Sequence, residues 1–276
     1  MNSLIIKKTR HVILNIFSLI CVLIVVVPFY VVIVNSFKTS TEANRMSINL
    51  PTTFHFENYA TVIEKGKLFT SFYNSLLYSV VSVCIIIICV LAAAFVISRN
   101  TKGINKVFYY FIITGLAMPI NNVSLFKVLQ FLNLMNTRVG IIFIYSAVNI
   151  PLSLFIAYGF VATIPRELDE AAILDGCTPI QLFTKIIVPL LKPIASTLAV
   201  LNMMAVWNDF TMPLYYLNNS KKWPMTLAVY NFFGAFENSW NLVCADIVLT
   251  ILPVLLVFIF GQKYIVGGVS AGAVKG

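Results

Sequence analysis

Charge is scarce in this sequence: of 276 residues only 11% are Asp, Glu, Lys or Arg, against roughly 25% in an ordinary soluble domain. Histidine is scarcer still. His11 and His55 stand far apart, which excludes a histidine-based triad or metal cluster. The five cysteines, Cys21, Cys84, Cys89, Cys177 and Cys244, are odd in number and lack metal-ligand spacing. Four fall in apolar segments, where a thiol behaves as a small hydrophobe. No G-x-x-x-x-G-K-[ST] run occurs, so the usual backbone cradle for nucleotide phosphates is missing. Paired carboxylates in a catalytic setting are absent too, as are internal repeats and low-complexity tracts. A net charge of +9 without an aromatic-and-basic face does not describe a nucleic-acid binder.

What the chain has is apolar length. Hydrophobic residues make up 59% of it, and a membrane helix needs about 20 of them in a row to cross roughly 30 Å of hydrocarbon. The run from Val12 to Val34 carries no charge and is too long for the apolar part of a cleaved leader, so it is expected to persist as a span. Further apolar segments place the expected spans at 12–34, 74–97, 107–123, 139–162, 194–217 and 242–260. The expected fold is an all-α integral membrane protein of about six helices, one domain over 1–276. Lys7, Lys8 and Arg10 precede the first span, and Arg99, Lys102 and Lys106 follow the second. The positive-inside rule puts both groups, and with six spans both termini, in the cytoplasm. The stretches Phe37 to Thr70 and Asn218 to Asn241 then face outward, while Ser124 to Arg138 is too polar for a span.

One polar stretch interrupts the hydrophobic middle, the expected cytoplasmic loop 163–193. Pro165 suits the first turn of a helix, and Glu167, Asp169 and Glu170 follow where the positive end of the helix dipole favours acids. Ala171 and Ala172 are small enough for close approach. Gly176, directly after Asp175, is placed to end that helix in the left-handed region. Thr178-Pro179-Ile180-Gln181 reads as a capping box that starts a second helix. Phe183, Ile186 and Ile187 give that helix one apolar face, and Pro189 and Pro193 are expected to bend the chain into span five. The product is a helix–turn–helix that offers acids, small residues and an apolar stripe to a partner; an ordinary amphipathic loop packed on its own spans is the alternative.

Inside span five, Asn202, Ala205, Val206, Asp209 and Tyr216 would share one helical face, fit to line a path for a hydroxyl-rich solute. The alternative is that Asp209 bonds neighbouring helices and holds a kink above Pro213. Asp246 is the other acid near hydrocarbon, where a charge is costly enough to draw attention.

Glu170-Ala171-Ala172, Asp175-Gly176, Phe183, Ile186 and Pro189 resemble the EAA loop of membrane subunits of bacterial ABC importers, with Cys177 where that family usually has Ala. Phe72-Tyr73-Asn74-Ser75-Leu76, Trp207-Asn208-Asp209-Phe210 with Pro213-Leu214, and the tail Gly267 to Gly276 are similar to carbohydrate-uptake-1 permeases of the maltose type. The resemblance implies a type I importer fold in a bacterial cytoplasmic membrane. It implies a homologous second permease, two cytoplasmic ATPases and an extracytoplasmic solute-binding protein as partners, with ATP and magnesium held by the ATPase and no cofactor or catalysis on this chain. By the same resemblance the EAA positions seat in the ATPase, Lys275 reaches between the ATPases, and Trp223 enters the receptor's cleft. An importer of the same architecture for polyamine, phosphate or amino acid is the first rival. A stand-alone secondary transporter is the second, and the lack of an evident inverted repeat or intramembrane acid pair counts against it.

Overall fold

A computed structural model describes residues 2–100, 103–232 and 239–273, with side chains over 13–100, 103–232 and 239–264. Among the described residues there is no strand. The helices are α1 Asn2–Ser36, α2 Ser40–Ala43, α3 Glu57–Lys65, α4 Leu68–Arg99, α5 Gly103–Thr114, α6 Asn122–Phe131 and α7 Arg138–Val161. After them come α8 Glu167–Leu174, α9 Pro179–Gln181, α10 Val188–Leu190, α11 Lys192–Asn208, α12 Thr211–Tyr216, α13 Met225–Ala228 and α14 Trp240–Ala273. Four described stretches are long and apolar enough to cross a membrane: Ile13–Ser36, Leu68–Arg99, Arg138–Val161 and Trp240–Tyr264. A fifth crossing is available if the bent pair Pro179–Leu190 and Lys192–Asn208 counts as one.

The expected third span, 107–123, is not one helix. α5 stops at Thr114, a turn closes with the Leu116 and Ala117 N–H groups on Ile113 and Thr114 carbonyls, and Asn121 caps a new helix through the Ser124 N–H at 3.0 Å. The break follows from Gly115 and Pro119, neither of which favours continuing a helix. Asn121 then begins α6 within the stretch expected to be merely polar surface. The expected fifth span, 194–217, also breaks: α11 ends at Asn208, Asp209 is extended (φ −73°, ψ 128°), and α12 restarts at Thr211. Pro28, Pro151 and Pro253 sit within α1, α7 and α14, which continue through them.

Packing divides the chain into two compact units. The first comprises Met1–Leu68 and Ala228–Ile251. Its core joins Val62, Phe232, Val243 and Ala245, and Asn58 ties the loop together by donating to the Ser36 and Lys38 carbonyls at 2.9 Å each. The second unit comprises Phe69–Leu227 and Leu252–Gly276. One of its cores runs down α4 and α7 through Ile86, Val90, Leu91, Ala94, Leu154, Ala157 and Val161. The other gathers Tyr78, Ile141, Tyr145, Val206 and Tyr216. Thr197 fastens α11 to the later part of α14, its hydroxyl donating to the Tyr264 carbonyl at 2.7 Å.

Candidate coupling site

Within the second unit, the stretch from Arg166 to Leu191 is built as a rigid elbow. Glu167, Asp169 and Glu170 occupy the first turn of α8, which has no side-chain cap, so their charge at the positive end of the helix does the capping work electrostatically. Pro165 lies just before the helix rather than in its first turn, because Arg166 already takes the cap position and accepts the Asp169 and Glu170 N–H groups. At the other end the Gly176 N–H reaches the Ile173 carbonyl and the Cys177 N–H the Ala172 carbonyl, both at 3.0 Å. That pair of bonds is the Schellman closure, and it requires the left-handed residue supplied by Gly176 at φ +80°. Cys177 packs against the core cluster to which Ala172 belongs. Two residues later Thr178 and Gln181 form the reciprocal capping box with Pro179 at the first helical position.

The second helix is not a plain α-helix. α9 lasts three residues and Leu182–Ile187 continue as a π-turn, with the Val188 N–H reaching back to the Phe183 carbonyl. Pro189 accounts for it: the ring would collide with the carbonyl four residues back, and one extra residue per turn moves that carbonyl aside. At Leu191 the chain then bends by 71° into α11, with Pro193 inside the new first turn.

This elbow is seated on the helix bundle. Ala172, Leu182, Ile187 and Leu191 are buried against the α4 and α7 core, with Phe183 and Ile186 beside them. The Phe183 ring lies 5.4 Å from that of Phe95. Burying Leu182, Ile187 and Leu191 contributes at most about 5–9 kcal/mol at the usual value per side chain, enough to hold the elbow to α4 and α7 as one body. Polar straps reinforce it. Arg99, the last residue of α4, pairs with Asp169 at 2.6 Å, and each side chain is only 13% exposed. Arg99 also donates to the Ile164 carbonyl at 3.1 Å, and Arg166 donates to the Ser98 carbonyl at 3.2 Å.

The expected apolar stripe therefore faces inward: Phe183, Ile186 and Ile187 fasten the elbow to its own spans, and Pro189 lies exposed in the turn after them. What the elbow presents outward is Glu170, Ala171, Asp175 and Gly176, together with Ile173, Leu174 and Ile180 at 61%, 88% and 75% exposure. Ala172, expected beside Ala171 on the face open to a partner, is buried in the core instead, and the next two residues turn about 100° and 200° away from it, which exposes Ile173 and Leu174.

Asn202, Asp209 and Tyr216 do not share one helical face, because that face assumed an unbroken helix across Asp209. Each has protein partners instead. Asn202 exchanges hydrogen bonds with Ser153 and donates to the Leu198 carbonyl at 2.8 Å. Asp209 accepts from the Tyr145 hydroxyl at 3.0 Å and the Met212 N–H at 2.9 Å, the bonding role weighed above as the alternative. Tyr216 donates to Asn122. Trp223 is half-buried, its indole N–H on the Leu217 carbonyl at 2.9 Å and its ring against the second core. The segment carrying it is held by Asn74, which is fully buried. Asn74 donates to the Lys221 and Trp223 carbonyls at 3.0 and 3.1 Å and accepts from Arg138 at 3.0 Å. Tyr78 and Ser75 add bonds to the Lys222 carbonyl and the Met225 N–H. Lys275 and the end of the tail lie outside the described residues.

The model of a family described as "Binding-protein-dependent transport system inner membrane component" matches residues 85–270. Among curated relatives, the probable starch degradation products transport system permease protein AmyC of Thermoanaerobacterium thermosulfurigenes is 34% identical over 249 residues, covering 90% of this chain and 91% of that one. The melibiose/raffinose/stachyose import permease protein MelC of Bacillus subtilis is 33% identical over 253 residues, 91% of each chain. A chain from the crystal structure of a bacterial ABC transporter involved in the import of the acidic polysaccharide alginate superposes with a TM-score of 0.80 at 23% identity, covering 94% of this chain and 96% of that one.

Proposed function

Because this chain belongs to the family of binding-protein-dependent transport system inner membrane components, we propose that it is the membrane-spanning permease subunit of an ATP-driven importer for sugars or oligosaccharides. The observation that carries the reading is the elbow 166–191. It is stiffened by two caps, buried against α4 and α7 on one side, and bare of apolar cover at Ile173, Leu174 and Ile180 on the other. A surface of that kind is suited to receive force from a water-soluble partner and pass it to the spans.

In this reading two cytoplasmic ATPases, which hold ATP and magnesium, grip Glu170, Ala171, Asp175 and Gly176 with the apolar knob beside them. Phe183 and Ile186 act on the inner side, transmitting the movement to α4, α7 and α11, and Pro189, exposed in the turn after them, sets the π-turn that holds them there. A homologous second permease completes the pathway, and an extracytoplasmic binding protein delivers solute. ATP shifts the outward- and inward-facing populations only by binding one of them better. Asn202, Asp209 and Tyr216 act as anchors that keep the broken α11–α12 unit in shape. Trp223 packs its ring inward, so contact with the binding protein falls to the exposed Lys221 side of the same segment. The sugar class rests on the relatives named above, whose printed substrates are starch products and raffinose-type oligosaccharides.

Reconstitution tests the reading. The chain co-purified with its ATPases and second permease in proteoliposomes should import oligosaccharide only with ATP and the binding protein together. Uptake by the chain alone, driven by an ion gradient, would sink it.

A further inference from the structure

We propose that the segment Met46 to Phe56, which follows α1, is an interfacial loop whose apolar side chains insert into the lipid leaflet at the C-terminal end of α1. The reading stands whichever solute is carried. Position supplies the first observation. The Tyr30 hydroxyl donates to the Ile48 carbonyl at 3.2 Å, and Asn35 donates to the Ser47 carbonyl at 3.0 Å. Tyr30 is six residues before the end of α1, a depth of about 9 Å along the helix axis. The loop thus runs back beside an apolar helix long enough to span the membrane, Ile13–Ser36.

Composition agrees. Met46 to Phe56 contains no Asp, Glu, Lys or Arg. Its large apolar side chains point away from the protein: Ile48, Leu50, Phe54 and Phe56 are each more than half exposed, and Met46 is exposed as well. Phe54 and Phe56 stack with each other and pack edge-on against Phe37, giving an aromatic ledge of the kind that favours the membrane interface.

Part of the loop's polar backbone is tied to the protein, and the rest lies at headgroup depth, because irregular backbone left without protein partners is not tolerated within the hydrocarbon itself. Here the Ser47 and Ile48 carbonyls take side-chain donors and the His55 N–H reaches the Phe37 carbonyl, while the Thr52 and Thr53 hydroxyls bond to Glu42 and His55 on the water-facing side, where His55 also meets Glu57. The one buried cation beside the loop, Lys38, is 2% exposed. Its ammonium has three hydrogens and three oxygen partners: Asn35 Oδ1 at 3.0 Å, the Ser47 carbonyl at 2.8 Å and Ser47 Oγ at 3.0 Å.

The test is site-directed spin labelling of the assembled transporter in lipid bilayers. Single cysteines replace Leu50, Phe54 or, as a water-facing reference, Glu64, in a chain whose Cys21, Cys84, Cys89 and Cys177 are alanine. Labels at 50 and 54 should collide with oxygen several-fold more than with a water-soluble nickel chelate, and the label at 64 should show the reverse, with or without the binding protein. Nickel access at 50 and 54 matching that at 64 would overturn the proposal. So would shielding from both reagents, which means protein cover by the second permease, or shielding that appears only when the binding protein is added, which means a receptor contact.

Discussion

Replacing Gly176 separates backbone conformation from bulk. A Cβ built there meets nothing within 4 Å, so a side chain has room, yet φ is +80°. A non-glycine residue in that region costs roughly 1–2 kcal/mol, with β-branched side chains worst and Asn nearly exempt. Gly176→Val should therefore lose about 2 kcal/mol of preference for the closed turn, a factor of roughly 30 against competing loop geometries. Opening the turn releases the Ile173 and Ala172 carbonyls from their bonds and lets α8 drift from the seat defined by Ala172. Measured as ATP-driven uptake at equal assembled complex, activity should rank Gly and Asn highest, Ala lower and Val lowest, while the ATPases turn over without transport. Wild-type uptake in Gly176→Val, or Gly176→Asn as damaged as Val, would show that the left-handed turn at 176 does not govern coupling.

Three further outcomes follow from the same structure. Removing one member of the Arg99–Asp169 pair strands a charge that has little access to water, so Arg99→Leu should cost about 3 kcal/mol or more; the double variant Arg99→Leu/Asp169→Leu should melt closer to wild type in detergent. Asn74→Ala takes the donor from the Trp223 carbonyl, at about 1–3 kcal/mol for a buried group, and leaves the exposed Lys221 carbonyl only its long bond from Arg138 at 3.5 Å; faster hydrogen exchange over 218–226 than in wild type is the expected reading. Hydrogen bonding from Thr52, then Thr39, holds the Glu42 carboxyl below its ordinary value of 4.5. A depressed folded-state value means the contribution is present above pH 4.5 and lost as pH falls through the lower folded value. The melting advantage of wild type over Glu42→Gln should shrink across that acidic window, and a constant difference would contradict the assignment.

The sequence carried the elbow well because its signals are local. Gly176 after an acidic helix start, and Thr178 three residues before Gln181, each fix backbone geometry within a few residues, and both caps form as the rules require. The bend toward α11 was legible from Pro189 and Pro193, though the π-turn that accommodates Pro189 was not. The direction of the apolar stripe was a tertiary matter. Periodicity groups Phe183, Ile186 and Ile187, but only the neighbouring spans decide whether that group faces a partner or the bundle. The shared face of Asn202, Asp209 and Tyr216 failed for a different reason: it was drawn through Asp209, whose carboxylate instead caps the restart at Met212. Asn74 lay within a motif that marks the start of span two, yet its partners are nearly 150 residues away in sequence, beyond what spacing encodes.

If the outward face of the elbow docks an ATPase, the partner must cover Leu174, which is 88% exposed. In the assembled transporter in proteoliposomes, Leu174→Cys bearing a short photo-crosslinker should give a product of one permease and one ATPase. Before the crosslinker is attached, the introduced thiol should also resist a water-soluble thiol reagent. Full modification of that thiol in the intact complex, with no ATPase adduct, would contradict the account.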